Sequence, residues 1–141
     1  MRWRESIDIR TNGLCPDSIF DDLEAAIDDD EAVRLVSTPV SWEHPRGTSQ
    51  TGNKVGLLVS ARHVLLGRKP LLGATKIHDF HVSEFVQFAV SPTHGYLASW
   101  RYEANLQKGQ LCILFSAHDE AEVVSAQINR MVAFWRRDKG M

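Results

Sequence analysis

The chain has only two cysteines in 141 residues, Cys15 and Cys112, far apart and without the spacing of metal ligands. Cys112 sits in an apolar run, where a free thiol behaves as a small hydrophobe and not as a nucleophile. A reduced, cytoplasmic protein is the expectation. No apolar stretch reaches the roughly 18 residues of a membrane span. The opening Met1-Arg2-Trp3-Arg4-Glu5-Ser6 lacks the apolar core of a signal peptide. Gly-x-Ser-x-Gly is absent, as is a glycine-rich phosphate loop. The run Asp28-Asp29-Asp30-Glu31 lacks the spaced oxygen ligands and turn glycine of a calcium loop, so it reads as a helix-ending turn. His78-x-x-His81 falls in a strand pattern, where residues three apart point to opposite faces and chelate poorly. Neither a catalytic residue, a metal nor a cofactor is expected, and the chain reads as a non-enzyme.

Charge of one sign is also scarce, with a net charge of −2. Generic nucleic-acid binding needs a strong basic field and is not expected on that ground. The charge is nevertheless uneven. Residues 1–31 hold 10 acidic and 3 basic residues, while residues 32–118 hold 4 acidic and 9 basic. The acidic segment is either solvated surface, a screen for the basic strands, or a second docking surface.

What is present is a hydrophobic pattern, 43% of the chain, enough for one domain with a core. Residues 1–15 read as a tail or an edge strand, and 16–141 as the domain. Pro16 opens a helix whose apolar face is Ile19, Phe20, Leu23, Ala26 and Ile27. Strand patterns follow at 32–42, 54–60, 63–67, 76–81, 85–91, 96–102 and 111–115, with a hairpin around Ala61-Arg62 and a turn at Asn105–Gln110 containing Gly109. A final helix starts from a capping-box pattern, Ser116-x-x-Asp119. Its stripe Val124, Ile128, Met131 and Trp135 must be covered by the sheet, with Trp135 as a core plug.

The segment Gly56-Leu57-Leu58-Val59-Ser60-Ala61-Arg62-His63-Val64-Leu65-Leu66 resembles the strand–turn–Arg–strand hairpin of bacterial pleckstrin-homology-like and GRAM-like domains. Ile77 to Val90 is similar to the next pair of strands, and the final strand and helix to that family's ending, with Trp135 at its helix tryptophan. The helix from Pro16 to Ile27 is similar to one that precedes many bacterial members. The resemblance implies an α+β fold: a pleckstrin-homology-like split antiparallel β-barrel of about seven strands, capped by the C-terminal helix and preceded by a short one. A helix-grip fold with an internal ligand cavity is the alternative. Phosphoinositide-binding members carry a spaced set of basic residues across the first two strands. Lys54 and Arg62 fill two of those places, and Val64 stands at the last.

Binding therefore falls to the loops and the charged residues. Arg46, Lys54, Arg62, Arg68 and Lys69 gather in sequence around two loops, with Arg62 in the opposite turn if the strands pair as a hairpin. Cations there suit a phosphate or a partner carboxylate. Trp3, beside two arginines and with no obvious core to join, is expected to dock on its own or a second chain. The leading expectation is a binding or scaffolding module for a protein partner or for self-association, with an exposed sheet edge or the groove beside the helix taking a peptide. Peripheral binding of anionic lipid through the basic rim is the second, and a small ligand or catalysis in a cavity the third.

Overall fold

The structure, a computed structural model, describes residues 2–10, 16–43, 54–70, 72–91, 96–104 and 107–140; for 43, 86–91, 96–104, 107, 108 and 110 it describes the backbone alone. Among these residues the chain forms nine strands and two α-helices. They are β1 (Ile7–Asp8), α1 (Asp17–Ala25), β2 (Val33–Ser37), β3 (Ser41–Glu43), β4 (Lys54–Ser60), β5 (His63–Lys69), β6 (Lys76–His81), β7 (Phe85–Ser91), β8 (Tyr96–Ala104), β9 (Gln107–Phe115) and α2 (His118–Asp138). A five-stranded sheet has the order β1-β2-β4-β5-β6, and a four-stranded sheet the order β3-β9-β8-β7. All neighbours are antiparallel except β1, which lies parallel to β2.

The chain changes sheet three times, from β2 to β3, from β3 back to β4 and from β6 to β7, and two of these corners lie within the described residues. At the first, Thr38-Pro39-Val40 splits the expected single strand 32–42 into β2 and β3. Proline has no N–H for a ladder, so the run cannot stay straight in one sheet. At the second, a 3-10 turn at Val82–Glu84 joins β6 to β7. A capping box holds that turn: His81 Nδ1 accepts from the Ser83 N–H, and the Glu84 carboxylate accepts from the His81 N–H at 2.8 Å.

Two apolar clusters flank the five-stranded sheet. One lies between the sheets under α2 and contains Leu35, Trp42, Leu57, Val59, Val64, Leu66, Ile113, Val124 and Ile128. The other lies under α1 and contains Trp3, Ile19, Phe20, Leu23, Val36, Leu58 and Leu65. Side chains alternate across a strand, so Leu57-Leu58-Val59 and Val64-Leu65-Leu66 each serve both clusters. A strand buried on both faces reads as an unbroken apolar run, the pattern of β4 and β5. Gly67 lets α1 lie close: a Cβ there would stand 3.0 Å from Leu23 Cδ2 and 3.1 Å from Ile19 Cγ2.

Several local expectations need correction. The capping position of α2 is Ala117, with no side-chain hydrogen bond, and not Ser116. The chain needs two residues to turn out of β9 before helical geometry begins. Asp119 and Glu120 still fall in the first turn, where the helix dipole favours them. Glu120 is buried and accepts from Ser37 Oγ at 2.6 Å, tying the helix start to β2. Pro16 is the N-cap of α1 and not its first helical residue. Gly109 is not in a turn; it pairs with Tyr102 inside β9. Trp135 is only half-buried and packs at the edge of the core, because the last turns of α2 run past the well-buried stripe that ends at Met131.

The first ten residues wrap α1. Trp3 is 1% exposed, its ring 5.2 Å from that of Phe20. Its Nε1 donates to Asp21 Oδ1 and its N–H to Glu24 Oε1, both at 2.7 Å. The Arg2 guanidinium donates to the backbone carbonyls of Glu24, Asp28 and Glu31, at the end of α1 where carbonyls lack helical partners. Arg4 and Arg10 pair with Asp17 at 3.1 and 2.8 Å, and Arg10 also with Asp8. The acidic segment is therefore answered mainly by the arginines that precede it.

Candidate binding groove and basic rim

The hairpin β4–β5 sorts the expected basic residues. Lys54 pairs with Lys69 and Val55 with Arg68 at its open end, while Arg62 lies in its turn. Seven residues of strand, about 20 Å, separate the two ends. Arg62 therefore does not share a rim with Lys54, Arg68 and Lys69, and Arg46 lies outside the described residues. Lys76 joins the open end opposite Arg68. By strand alternation Arg68 faces the space between the sheets and Lys69 faces α1, where its Nζ reaches Ser18 Oγ at 3.3 Å. Between β5 and β6 the connection projects Leu72, 88% exposed, next to Gly73 with φ +109°. Trp3, expected to dock on its own or a second chain, docks on its own, as a core residue under α1 and not on an exposed binding surface.

Arg62 belongs to a lock at the other end. The Glu31 side chain is 1% exposed. Its carboxylate accepts from Ser60 Oγ, from the Arg62 N–H at 3.1 Å, and from Arg62 Nε and Nη2 at 3.3 Å each. Burial pushes this carboxyl up. The bonds from Ser60 and Arg62, with His63 nearby, outweigh burial and hold it below its usual 4.5. Asp28 takes the outer side of the guanidinium at 3.4 Å.

Beside this lock runs a groove of about 590 Å³. One wall is the segment Asp30–Arg34 with the β4–β5 turn; the other is α2 from Gln127 to Lys139. Met131, Phe134 and Trp135 supply the apolar surface, and Phe134 is 64% exposed. Arg34, Arg130 and Lys139 line it with Asp30 and Asp138. Lys139 Nζ sits 4.7 Å from the centre of the Trp135 ring. The sequence expectation named the groove beside the helix but none of these residues as its lining, although the sequence left a signal for them. At about 100° per residue, Phe134 lies well off the stripe of Val124, Ile128, Met131 and Trp135, on the flank of the helix that the stripe does not cover.

A histidine pair supports Trp135 from beneath. The His81 ring lies 5.1 Å from both Trp135 and His63, edge-on to each. His63 Nδ1 is 3.1 Å from Asp79 Oδ1, without the alignment of a hydrogen bond. Burial lowers the pKa of His81 below its ordinary 6.5, and the neighbouring His63 adds to the shift. Burial, then Arg68, lowers His78, whose ring lies 4.6 Å from Trp42. Folding disfavours the charged form of both imidazoles, so the unfolded chain binds protons first. Their contribution to stability is complete above pH 6.5 and is lost as pH falls through the lowered folded values. Urea midpoints measured between pH 7 and 5 should fall steadily, and a variant with His78 and His81 both replaced by Gln should show a flatter slope. Glu31 and Asp8, lowered from 4.5 and 3.8, act only below that window.

No protein-family model matches the sequence, and no curated protein matches it. Solved structures do. The hSac2 domain from the human phosphoinositide phosphatase Sac2 superposes with a TM-score of 0.57 at 12% identity, over 88% of this chain and 81% of that one. A pleckstrin homology domain from Shewanella amazonensis superposes with a TM-score of 0.52 at 16% identity, over 88% of this chain and 91% of that one. The fold is pleckstrin-homology-like. In this pleckstrin-homology-like domain the two sheets face each other across the core and α2 caps it, as the resemblance implied; the helix-grip alternative falls. The seven expected strands become nine because the first is split at Pro39 and β1 is added. No helix among the described residues is long and apolar enough to cross a membrane.

Proposed function

We propose that this pleckstrin-homology-like domain is a non-enzymatic binding module, and that its working surface is the groove beside α2, where it takes a segment of protein. Phe134 carries this reading. A phenylalanine 64% exposed between Met131 and Trp135, on the lip of a concave surface, is an anchor of the kind that dominates binding energy. The lining mixes aromatic, apolar and charged groups, as protein interfaces do. The test is affinity purification of tagged protein from its native host, comparing wild type with Phe134→Asp and identifying what co-purifies by mass spectrometry. Recovery of specific protein partners should drop at least about tenfold in the variant, the effect of losing one anchor worth over 1.4 kcal/mol. Equal recovery from a folded variant would sink the reading.

A second reading, contact with an anionic membrane surface, rests on the opposite end of the molecule. Lys54, Lys69 and Lys76 stand at the end of the molecule whose tip bears Leu72. Cations near an anionic bilayer contribute about 1 kcal/mol each, and an exposed leucine adds apolar contact. One structural neighbour comes from a phosphoinositide phosphatase, which favours the same reading. Vesicles containing phosphatidylserine should sediment the protein at low salt, and the Leu72→Asp variant should stay in solution. If wild type also stays in solution, the membrane reading is dead.

A further inference from the structure

We propose that the protein segment received by the groove is the α2 helix of a second copy of this chain, packed antiparallel about a two-fold axis beside Phe134. The proposal rests on the groove reading and names its partner. Arg130, Phe134 and Asp138 are spaced four residues apart on one exposed face of α2, with Phe134 midway between the two charges. In an antiparallel pair crossing at Phe134, each residue four before the crossing meets the residue four after it. Arg130 then faces the partner's Asp138, and Asp138 faces the partner's Arg130, each about 6 Å along the helix from the crossing. Neither Arg130 nor Asp138 makes an ion pair among the described residues.

An isologous interface needs one surface that complements itself: a knob and a hole, and charges of both signs. The groove meets each condition. Phe134 is the knob, and the concavity between Ala61 on one wall and Met131 on the other is the hole. The charges on its walls are mixed, with Arg34 and Asp30 on the sheet side and Arg130 and Asp138 on the helix side. A strongly acidic or strongly basic ligand would meet its like as often as its opposite. A copy of the same surface, turned over, meets its opposite at both ends of the helix pair. Glu31 and Arg62 need not take part, because each already satisfies the other.

Sedimentation equilibrium over the micromolar to near-millimolar range tests this. The wild-type chain should show a concentration-dependent dimer, and Phe134→Asp should be monomeric throughout. Arg130→Asp alone places like charges at both contacts, as does Asp138→Arg alone, and each should weaken the dimer by about tenfold or more. The two substitutions combined restore opposite charges in reversed order and should recover most of the wild-type association. A merely structural effect of either substitution would not be rescued by the other. A wild-type chain that stays monomeric, a dimer indifferent to Phe134→Asp, or a double variant no stronger than the singles would each overturn the proposal. A monomer that still loses its captured proteins on Phe134→Asp removes self-association alone and leaves the groove reading in place.

Discussion

Trp3→Ala should lower the unfolding free energy by roughly 3–5 kcal/mol, the range for truncating a fully buried tryptophan. Trp3 is 1% exposed and packs with Phe20, Ile19 and Leu23 under α1. Its removal opens a cavity between the helix and the five-stranded sheet, and leaves Asp21 without the donor it now has at 2.7 Å. The backbone contact from its N–H to Glu24 survives only if the strap stays in place. Trp3→Phe keeps most of the ring and loses the Nε1 donor, so it should cost less, about 1–3 kcal/mol. Urea denaturation followed by circular dichroism measures both. A Trp3→Ala midpoint equal to wild type would show that the first ten residues are a dispensable tail.

Glu31→Ala is the second large expected effect. The carboxylate holds Ser60 Oγ and the Arg62 N–H and guanidinium, and so joins the α1–β2 connection to the β4–β5 turn. Breaking a buried pair costs about 3–5 kcal/mol because the abandoned partner stays buried. Here Arg62 is 44% exposed and water recovers part of its charge, so about 3 kcal/mol is expected. Folding keeps this carboxyl below its usual 4.5, so its stabilisation is present above that pH and is lost as pH falls through the lower folded value. The difference between wild type and Glu31→Ala should therefore shrink on acidification below pH 4.5. A constant difference down to pH 3 would mean that the alanine acts through packing alone.

The two effects differ in how far they could be read in advance. The apolar face of α1 and the stripe of α2 are periodic in the sequence, and the structure buries Ile19, Phe20 and Leu23 on the one and Val124, Ile128 and Met131 on the other. The β4–β5 hairpin was legible from its two apolar runs around Ala61-Arg62. Glu31 was not legible as a lock. Within Asp28-Asp29-Asp30-Glu31 all four carboxylates look alike, and only the fourth is carried under the β4–β5 turn. Trp3 was equally opaque, since nothing within ten residues of it indicates the helix it packs against. The groove beside the helix was expected as a place, but its lining was opaque for the same reason: its walls come from the α1–β2 connection and the end of α2, a hundred residues apart.

What the sequence determined by itself was local: where strands and helices form, which face of each is apolar, and that the central hairpin is buried on both sides. Those features repeat every two or 3.6 residues and need no knowledge of partners. Only the tertiary structure decided where those faces go. It put Trp3 under α1, placed Arg62 about 20 Å from Lys54 and Lys69, and left Phe134 on the rim of a groove while Met131 went into the core. Such placements depend on which distant surfaces cover one another, and a helix or strand pattern specifies an exposed or buried side without specifying its neighbour.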